Sequence, residues 1–181
     1  SGMYDALKKG FSKARGKYLF WLNSDDFLKN DNVLFKLKEY LQKNPDIQWV
    51  NGYTNFKYEK YNFLLTVFPY QYPQSIIRKG YAHNCGWGFI QQESTIFSRK
   101  IFEDVGGFKR NYRMAGDYFL WKELAKNNKL VSVNISIGVQ RKWGGQMQNN
   151  LDFYYKEIEK KKCIFFLIKY LRIFYSFLIF L

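Results

Sequence analysis

The chain has 181 residues, 47% of them hydrophobic and 21% aromatic. That is enough apolar bulk for one domain with a core, and too much for a disordered chain. Its 29 Lys and Arg against 15 Asp and Glu leave a formal charge of +14, which suits nucleic acid, an anionic membrane surface or an anionic substrate. The basic residues are spread along the chain, without zinc-finger spacing, an RRM-type aromatic motif or a basic recognition helix, so nucleic acid is set aside. The single His83 and the distant Cys85 and Cys163 fit no histidine or cysteine metal site. Two cysteines in a lysine-rich chain agree with a reducing compartment.

Tyr4, Leu7, Phe11 and Ala14 recur at helical spacing, and Gly16 supplies a stop. Ser1-Gly2 leads directly into this pattern with no signal peptide, so the natural N-terminus is expected upstream. Tyr18 to Leu22 is a continuous apolar run that reads as a buried, parallel strand. Asn23 to Asp26 is then the loop at its carboxyl end, where open α/β sheets bind ligands. Val33, Leu34, Leu37, Tyr40 and Leu41 predict a second helix, broken at Asn44-Pro45-Asp46.

Ile47 to Val50 predicts a short strand, and the aromatic, basic segment from Tyr53 to Pro73 predicts extended strands and loops. Thr95 to Phe97 predicts another strand, followed by a short helix from Arg99 to Val105 that stops at Gly106-Gly107. Asp117 to Ala125 carries Phe119, Leu120 and Leu124 on one helical face. Leu130 to Val133 predicts the next strand, and Arg141 to Asn150 a polar, glycine-rich loop.

The pattern changes near Asn150, which divides the chain into a domain over 1–150 and a tail over 151–181. Tyr154 to Lys162 is a charged helix. Ile164 to Leu181 is apolar except for Lys169 and Arg172. As a helix, its length is about 27 Å at ~1.5 Å per residue, against about 30 Å of hydrocarbon. Its two central charges favour lying in the membrane interface over spanning it, with the lysines on anionic headgroups; packing on the domain is the other reading.

Two carboxylate sites stand out. Asp25 and Asp26 follow the first apolar run. A hard divalent cation takes one or two carboxylates together with phosphate oxygens, and such a pair at a strand end meets that need. The same pair also suits an ordinary turn or helix cap. Asp117 opens a helix, where a carboxylate either serves as a general base or interacts with the macrodipole.

The order of motifs is more specific than either site. Gly2-Met3-Tyr4-Asp5-Ala6-Leu7-Lys8-Lys9-Gly10, then Ala14-Arg15-Gly16, then Leu22-Asn23-Ser24-Asp25-Asp26 resembles the middle of a bacterial family-2 glycosyltransferase. So do Gln91-Gln92-Glu93-Ser94-Thr95, Phe97-Ser98-Arg99-Lys100, Gly106-Gly107-Phe108 and Ala115-Gly116-Asp117-Tyr118. Arg141, Gly144-Gly145-Gln146 and Tyr155 to Glu157 extend the likeness to about residue 160.

The resemblance implies a GT-A fold, a mostly parallel sheet flanked by helices, whose first βαβ unit would precede Ser1. Asn23-Ser24-Asp25 falls on the family's Asp-x-Asp motif, with Asn in place of its first Asp. Asp25, with Asp26, would hold Mn²⁺ or Mg²⁺. Asp117 would be the catalytic base, with Gly116 where the family often has Glu. Asn23, Ser24, Asp5, Lys9, Arg141 and Gln146 would lie on the donor side, and Trp87, Gln91, Gln92 and Glu93 on the acceptor side.

The implied activity is inverting transfer of a sugar from a nucleotide-diphosphate donor to a hydroxyl of a glycan or lipid-linked acceptor. The implied setting is surface polysaccharide assembly, peripheral at the cytoplasmic face of the inner membrane and held there by residues 160–181. A non-catalytic membrane-surface relic of such a transferase is the alternative from another class, and a nucleic-acid binder rests on charge alone.

Overall fold

The computed structural model describes residues 2–83, 89–109, 112–144, 146 and 151–159. The order of elements is α1 (Met3–Lys13), β1 (Tyr18–Leu19), β2 (Phe27–Leu28), α2 (Val33–Lys43), β3 (Trp49–Tyr58), β4 (Phe63–Val67), α3 (Gln74–Arg78), β5 (Thr95–Ser98), α4 (Arg99–Asp104), α5 (Gly116–Leu124), β6 (Val131–Lys142) and α6 (Leu151–Glu157). One 3-10 turn (Glu59–Tyr61) joins β3 to β4, and another (Gln92–Ser94) enters β5.

The strands form one curled sheet in the order β1-β5-β3-β6-β2, with β4 added alongside β3. Alternate residues face opposite sides, as the strand period of two requires. Leu19, Trp21, Trp49 and Phe97 join the core beneath α1, α4 and α5. Val50 and Ile96 join Val33, Leu37 and Leu41 of α2 on the other face.

Phe11 of α1 meets Trp21, Phe97 and Phe102 edge-on and stacks on Phe108, with ring centroids 5.2–6.2 Å apart. Edge-on aromatic pairs contribute about 0.5–1.5 kcal/mol beyond their buried area. These contacts fix α1 against the sheet. Ser98 caps α4, accepting from Ile101 N at 3.2 Å. Gly106 and Gly107 end that helix with φ of 75° and 62°, a region that side chains with a Cβ disfavour.

The sheet corrects the expectation of a mostly parallel arrangement. β3 and β6 pair in parallel, whereas β1–β5, β2–β6, β3–β4 and β3–β5 are antiparallel. The apolar run from Tyr18 to Leu22 reflects helix cover on both faces of the sheet. That cover makes a strand apolar throughout, whichever way its neighbour runs.

β3 and β6 also extend well beyond the predicted Ile47 to Val50 and Leu130 to Val133. Buried polar residues hide the length of β3. Asn51 Oδ1 accepts from Ser132 Oγ at 2.9 Å, while Asn55 donates to Ser136 Oγ at 2.9 Å and to the Gly138 carbonyl at 3.0 Å. Tyr154 and Tyr155 of α6, with Ile158 after it, pack with Ala115 and Tyr118 of the α5 region. The apolar tail from Ile164 to Leu181 and Trp87 lie outside the described residues. Among the described residues, no helix is long and apolar enough to cross a membrane.

Candidate active site

Asp25 and Asp26 occupy the turn between β1 and β2, closed by Asp26 N donating to the Asn23 carbonyl at 3.1 Å. β2 pairs with β6 through Phe27↔Val139, which brings the far end of β6 to the turn. Arg141 N donates to Asp26 Oδ1 at 3.3 Å, and Asn23 Nδ2 donates to Asp26 Oδ2 at 3.0 Å. Gln146 Nε2 and Trp143 Nε1 donate to Asp25 Oδ2 at 2.8 and 3.1 Å.

Burial pushes the Asp25 carboxyl up, but the Gln146 and Trp143 hydrogen bonds, with Arg141 nearby, hold it below the usual range. Burial and the neighbouring Asp25 charge push Asp26 up to about 6. Two carboxylates crowded this way, dressed mainly by neutral amide, indole and backbone N–H groups, are a donor set that fits a hard divalent cation. Among the described residues, no group of three or more His, Cys, Asp or Glu gathers as a self-sufficient metal cage. The pair therefore suits a cation that takes its other oxygens from phosphate or water.

Asp117 lies in the first turn of α5. Its Oδ1 accepts from Tyr118 N at 2.8 Å and faces the Tyr4 hydroxyl at 3.3 Å. Burial pushes the carboxyl up to about 6, against these hydrogen bonds. Tyr4 comes from α1 and is 2% exposed. Its hydroxyl also accepts from Asp117 N at 3.1 Å and reaches the Met114 carbonyl at 3.1 Å.

The Tyr4 ring explains Gly116: a Cβ there would stand 2.4 Å from Tyr4 Cε1. The place of a side chain next to Asp117 is filled by an aromatic ring from α1. Glu157 of α6 anchors the approach to α5, accepting from the backbone N–H groups of Arg113, Met114 and Ala115 at 2.7–2.9 Å.

Gln92 and Glu93 lie in the 3-10 turn entering β5. Glu93 is fully buried, and neither of its carboxyl oxygens nor the amide atoms of Gln92 has a hydrogen-bond partner among the described residues. Burial pushes Glu93 up to about 8, with the charges of Asp26 and Asp117 adding to it. The half-buried carboxyls of Asp26 and Asp117, from two separate segments, thus each lie within electrostatic reach of the buried Glu93. Lys142, held below its usual range by burial, feels Glu93, Asp26 and Asp25.

The remaining expected site residues divide. Arg141 and Gln146 join the Asp25 turn, although the Arg141 guanidinium is held by Glu59 at 2.6 Å. Gln91 lines a cavity of about 210 Å³ with Phe56, Phe68, Tyr72 and Phe89. Ser24 is exposed on the Asp25 turn. Asp5 and Lys9 bond each other at 2.9 Å on an exposed face of α1. Sequence reasoning missed Tyr4, Trp143, Lys142 and Glu157 as site residues. Tyr4 and Glu157 lay inside motifs of the resemblance without a role assigned to them, and Trp143 and Lys142 carried a signal only as neighbours of Arg141.

Two expected results follow from this geometry. A buried acid whose folded pKa is raised stabilises the fold fully below its ordinary value of 4.5 and loses that contribution as pH rises through about 8. Glu93→Gln is neutral throughout. The variant and wild type should melt alike at pH 5, and the variant should melt higher at pH 8, with a gap growing by up to about 1.4 kcal/mol per pH unit. A gap independent of pH would show that Glu93 is not a buried neutral acid.

Tyr4→Phe keeps the ring against Gly116 and removes the hydroxyl that lowers the Asp117 pKa. Carbon-13 titration of the Asp117 carboxyl should then show a midpoint above the wild-type value. The orphaned Asp117 N–H should cost about 1–3 kcal/mol in stability. An unmoved midpoint would mean that the hydroxyl serves Met114 alone.

The family model for Glycosyl transferase family 2 matches residues 1–106. In a comparison with curated proteins, no relative matches the chain.

Proposed function

The chain belongs to glycosyl transferase family 2 and has the sugar-transferring activity of that family, and we propose that it transfers with inversion from a nucleotide-diphosphate donor to a hydroxyl of a glycan or lipid-linked acceptor. The observation that supports this reading is that Asp26 and Asp117, from separate segments, both act on the buried Glu93, with Asp25 beside Asp26. Asp117 takes the acceptor proton: its pKa of about 6 leaves it ionised at neutral pH yet basic enough to accept. Tyr4 orients that carboxylate.

Asp25 with Asp26 would hold Mn²⁺ or Mg²⁺, which supplies charge neutralisation to the leaving diphosphate. Gln146 and Trp143 hold Asp25 in place. Glu93, neutral at pH 7, and Gln92 offer buried hydrogen-bonding groups on the acceptor side. A screen of nucleotide sugars and hydroxyl acceptors, read by product mass and anomeric configuration, tests the assignment; a retained configuration would overturn the inverting mechanism.

We further propose that residues 1–150 carry the metal, base and acceptor residues, with Glu157 of the following segment bracing the start of α5, and that 160–181 hold the enzyme peripherally at the cytoplasmic face of the inner membrane. Truncation at Cys163 should weaken salt-sensitive binding to anionic vesicles, each basic residue there contributing roughly 1 kcal/mol. Binding that survives truncation unchanged would remove the tail from this role.

A further inference from the structure

The ribbon formed by the end of β3, its 3-10 turn and β4 stands out from the sheet with apolar side chains on both faces. Tyr61 is 71% exposed, Phe63 54% and Phe68 63%, with Leu64 and Leu65 above 40%. Among the described residues β4 pairs with β3 alone, so one edge of the ribbon has no strand beside it. Asn62 turns the chain in the left-handed region at φ 45°, which keeps the tip tight. From Tyr53 to Pro73 the one carboxylate is Glu59, and it is already bound by Lys57 and Arg141. Beneath the ribbon, Phe63, Leu64, Phe27 and Val139 line an apolar groove whose rim carries Lys29 and Lys57.

We propose that this ribbon is a docking surface for an anionic lipid bilayer, lying in the headgroup layer with Tyr61, Phe63 and Phe68 as anchors. Aromatic side chains settle at that depth, and lysine stems lie along apolar surface while their ammonium groups reach the phosphates. The unpaired backbone edge restricts the ribbon to the headgroup layer, where water still satisfies its N–H and C=O groups.

Charge decides between this and the other occupants. A second copy would bring one +14 chain onto another, with Lys57 and Lys60 repeated across the edge. The chain's own tail carries Lys160, Lys161, Lys162, Lys169 and Arg172 and repels the same rim. An anionic surface complements it.

The ribbon is also tied to the active site. Lys57 and Tyr58 pair in register with Arg141 and Lys142, beside the Asp25 turn, so docking here would hold the carboxylates next to the bilayer. The inference rests on the proposed function for the class of partner only, and it assigns contact to a different surface from the tail.

Hydroxyl-radical footprinting of the full chain tests it, with and without phosphatidylcholine–phosphatidylglycerol vesicles and with pure phosphatidylcholine as control. Tyr61, Phe63 and Phe68 should be reactive in solution and protected severalfold on the anionic vesicles, with protection fading at high salt. Tyr61→Ser with Phe63→Ser should weaken partitioning by about tenfold, and Lys60→Glu by about fivefold or more, with melting temperature unchanged. Side chains at 165–177 report the tail separately in the same footprint, so either surface can fail alone. Equal reactivity of the ribbon with and without anionic lipid would overturn the proposal. So would protection without lipid, whether it disappears on dilution, as for a second copy, or persists, as for a tail packed on the ribbon.

Discussion

Asp117→Asn should lower turnover by about 10²–10⁴, the usual contribution of a positioned general base, and leave donor affinity within a small factor of wild type. The amide matches the carboxylate in shape and can still accept from Tyr118 N, which Asp117 Oδ1 does at 2.8 Å, so α5 should keep its start. The pH profile makes the prediction sharper. Burial raises the Asp117 carboxyl to about 6, and a base works only when ionised. The wild-type rate should therefore fall as pH drops through about 6, and the residual rate of the variant should keep only the part of that limb owed to Asp26. Collapse of donor affinity together with rate, measured by calorimetry, would make Asp117 a binding residue instead.

Asp25→Ala should cost on the order of 10²–10³ in turnover, comparable with removing one preorganised stabiliser of transition-state charge. Chelation of the wild type should match it. Burial pushes the Asp25 carboxyl up, and the Gln146 and Trp143 hydrogen bonds hold it below the usual range. Its loss removes half of the carboxylate pair and leaves those two donors unbonded to it. The turn is closed by Asn23 and Asp26 through the backbone and a side-chain amide, so melting temperature should change little. Full turnover in excess chelator would eliminate the metal from the mechanism and return Asp25 and Asp26 to the role of an ordinary turn.

These experiments also separate an enzyme from a relic. A relic would retain the buried carboxyls through packing alone, and neither substitution would alter a measurable activity. The pH-dependent stability expected for Glu93→Gln belongs to burial and would hold in either case.

Much of the candidate site is legible in one dimension. Asp25, Asp26 and Asp117 sit in short motifs whose order along the chain is specific, and Arg141 and Gln146 were placed with the donor side by the same order. The structure brings Arg141 and Gln146 to the Asp25 turn. Asp5 and Lys9 read equally well as motif members, yet they bond each other on the surface of α1, as an i,i+4 pair on any exposed helix does. Tyr4 looked like one apolar position in a helical repeat. Nothing nearby in sequence announces that its hydroxyl meets Asp117, 113 residues away.

By itself, the sequence determined the helices α1 and α2, the positions where β1 and β5 would form, and the two acidic sites, because periodicity and turn chemistry act over a few neighbouring residues. Strand direction was decided only in three dimensions: an apolar run records that both faces are covered, not which way its partner runs. The length of β3 was decided there too, since Asn51 and Asn55 are tolerable inside a sheet only once Ser132 and Ser136 arrive to bond them. So were the proton affinities of Asp26, Glu93 and Asp117. Desolvation is the largest cause for all three, and the burial comes from segments that meet only when the chain has folded.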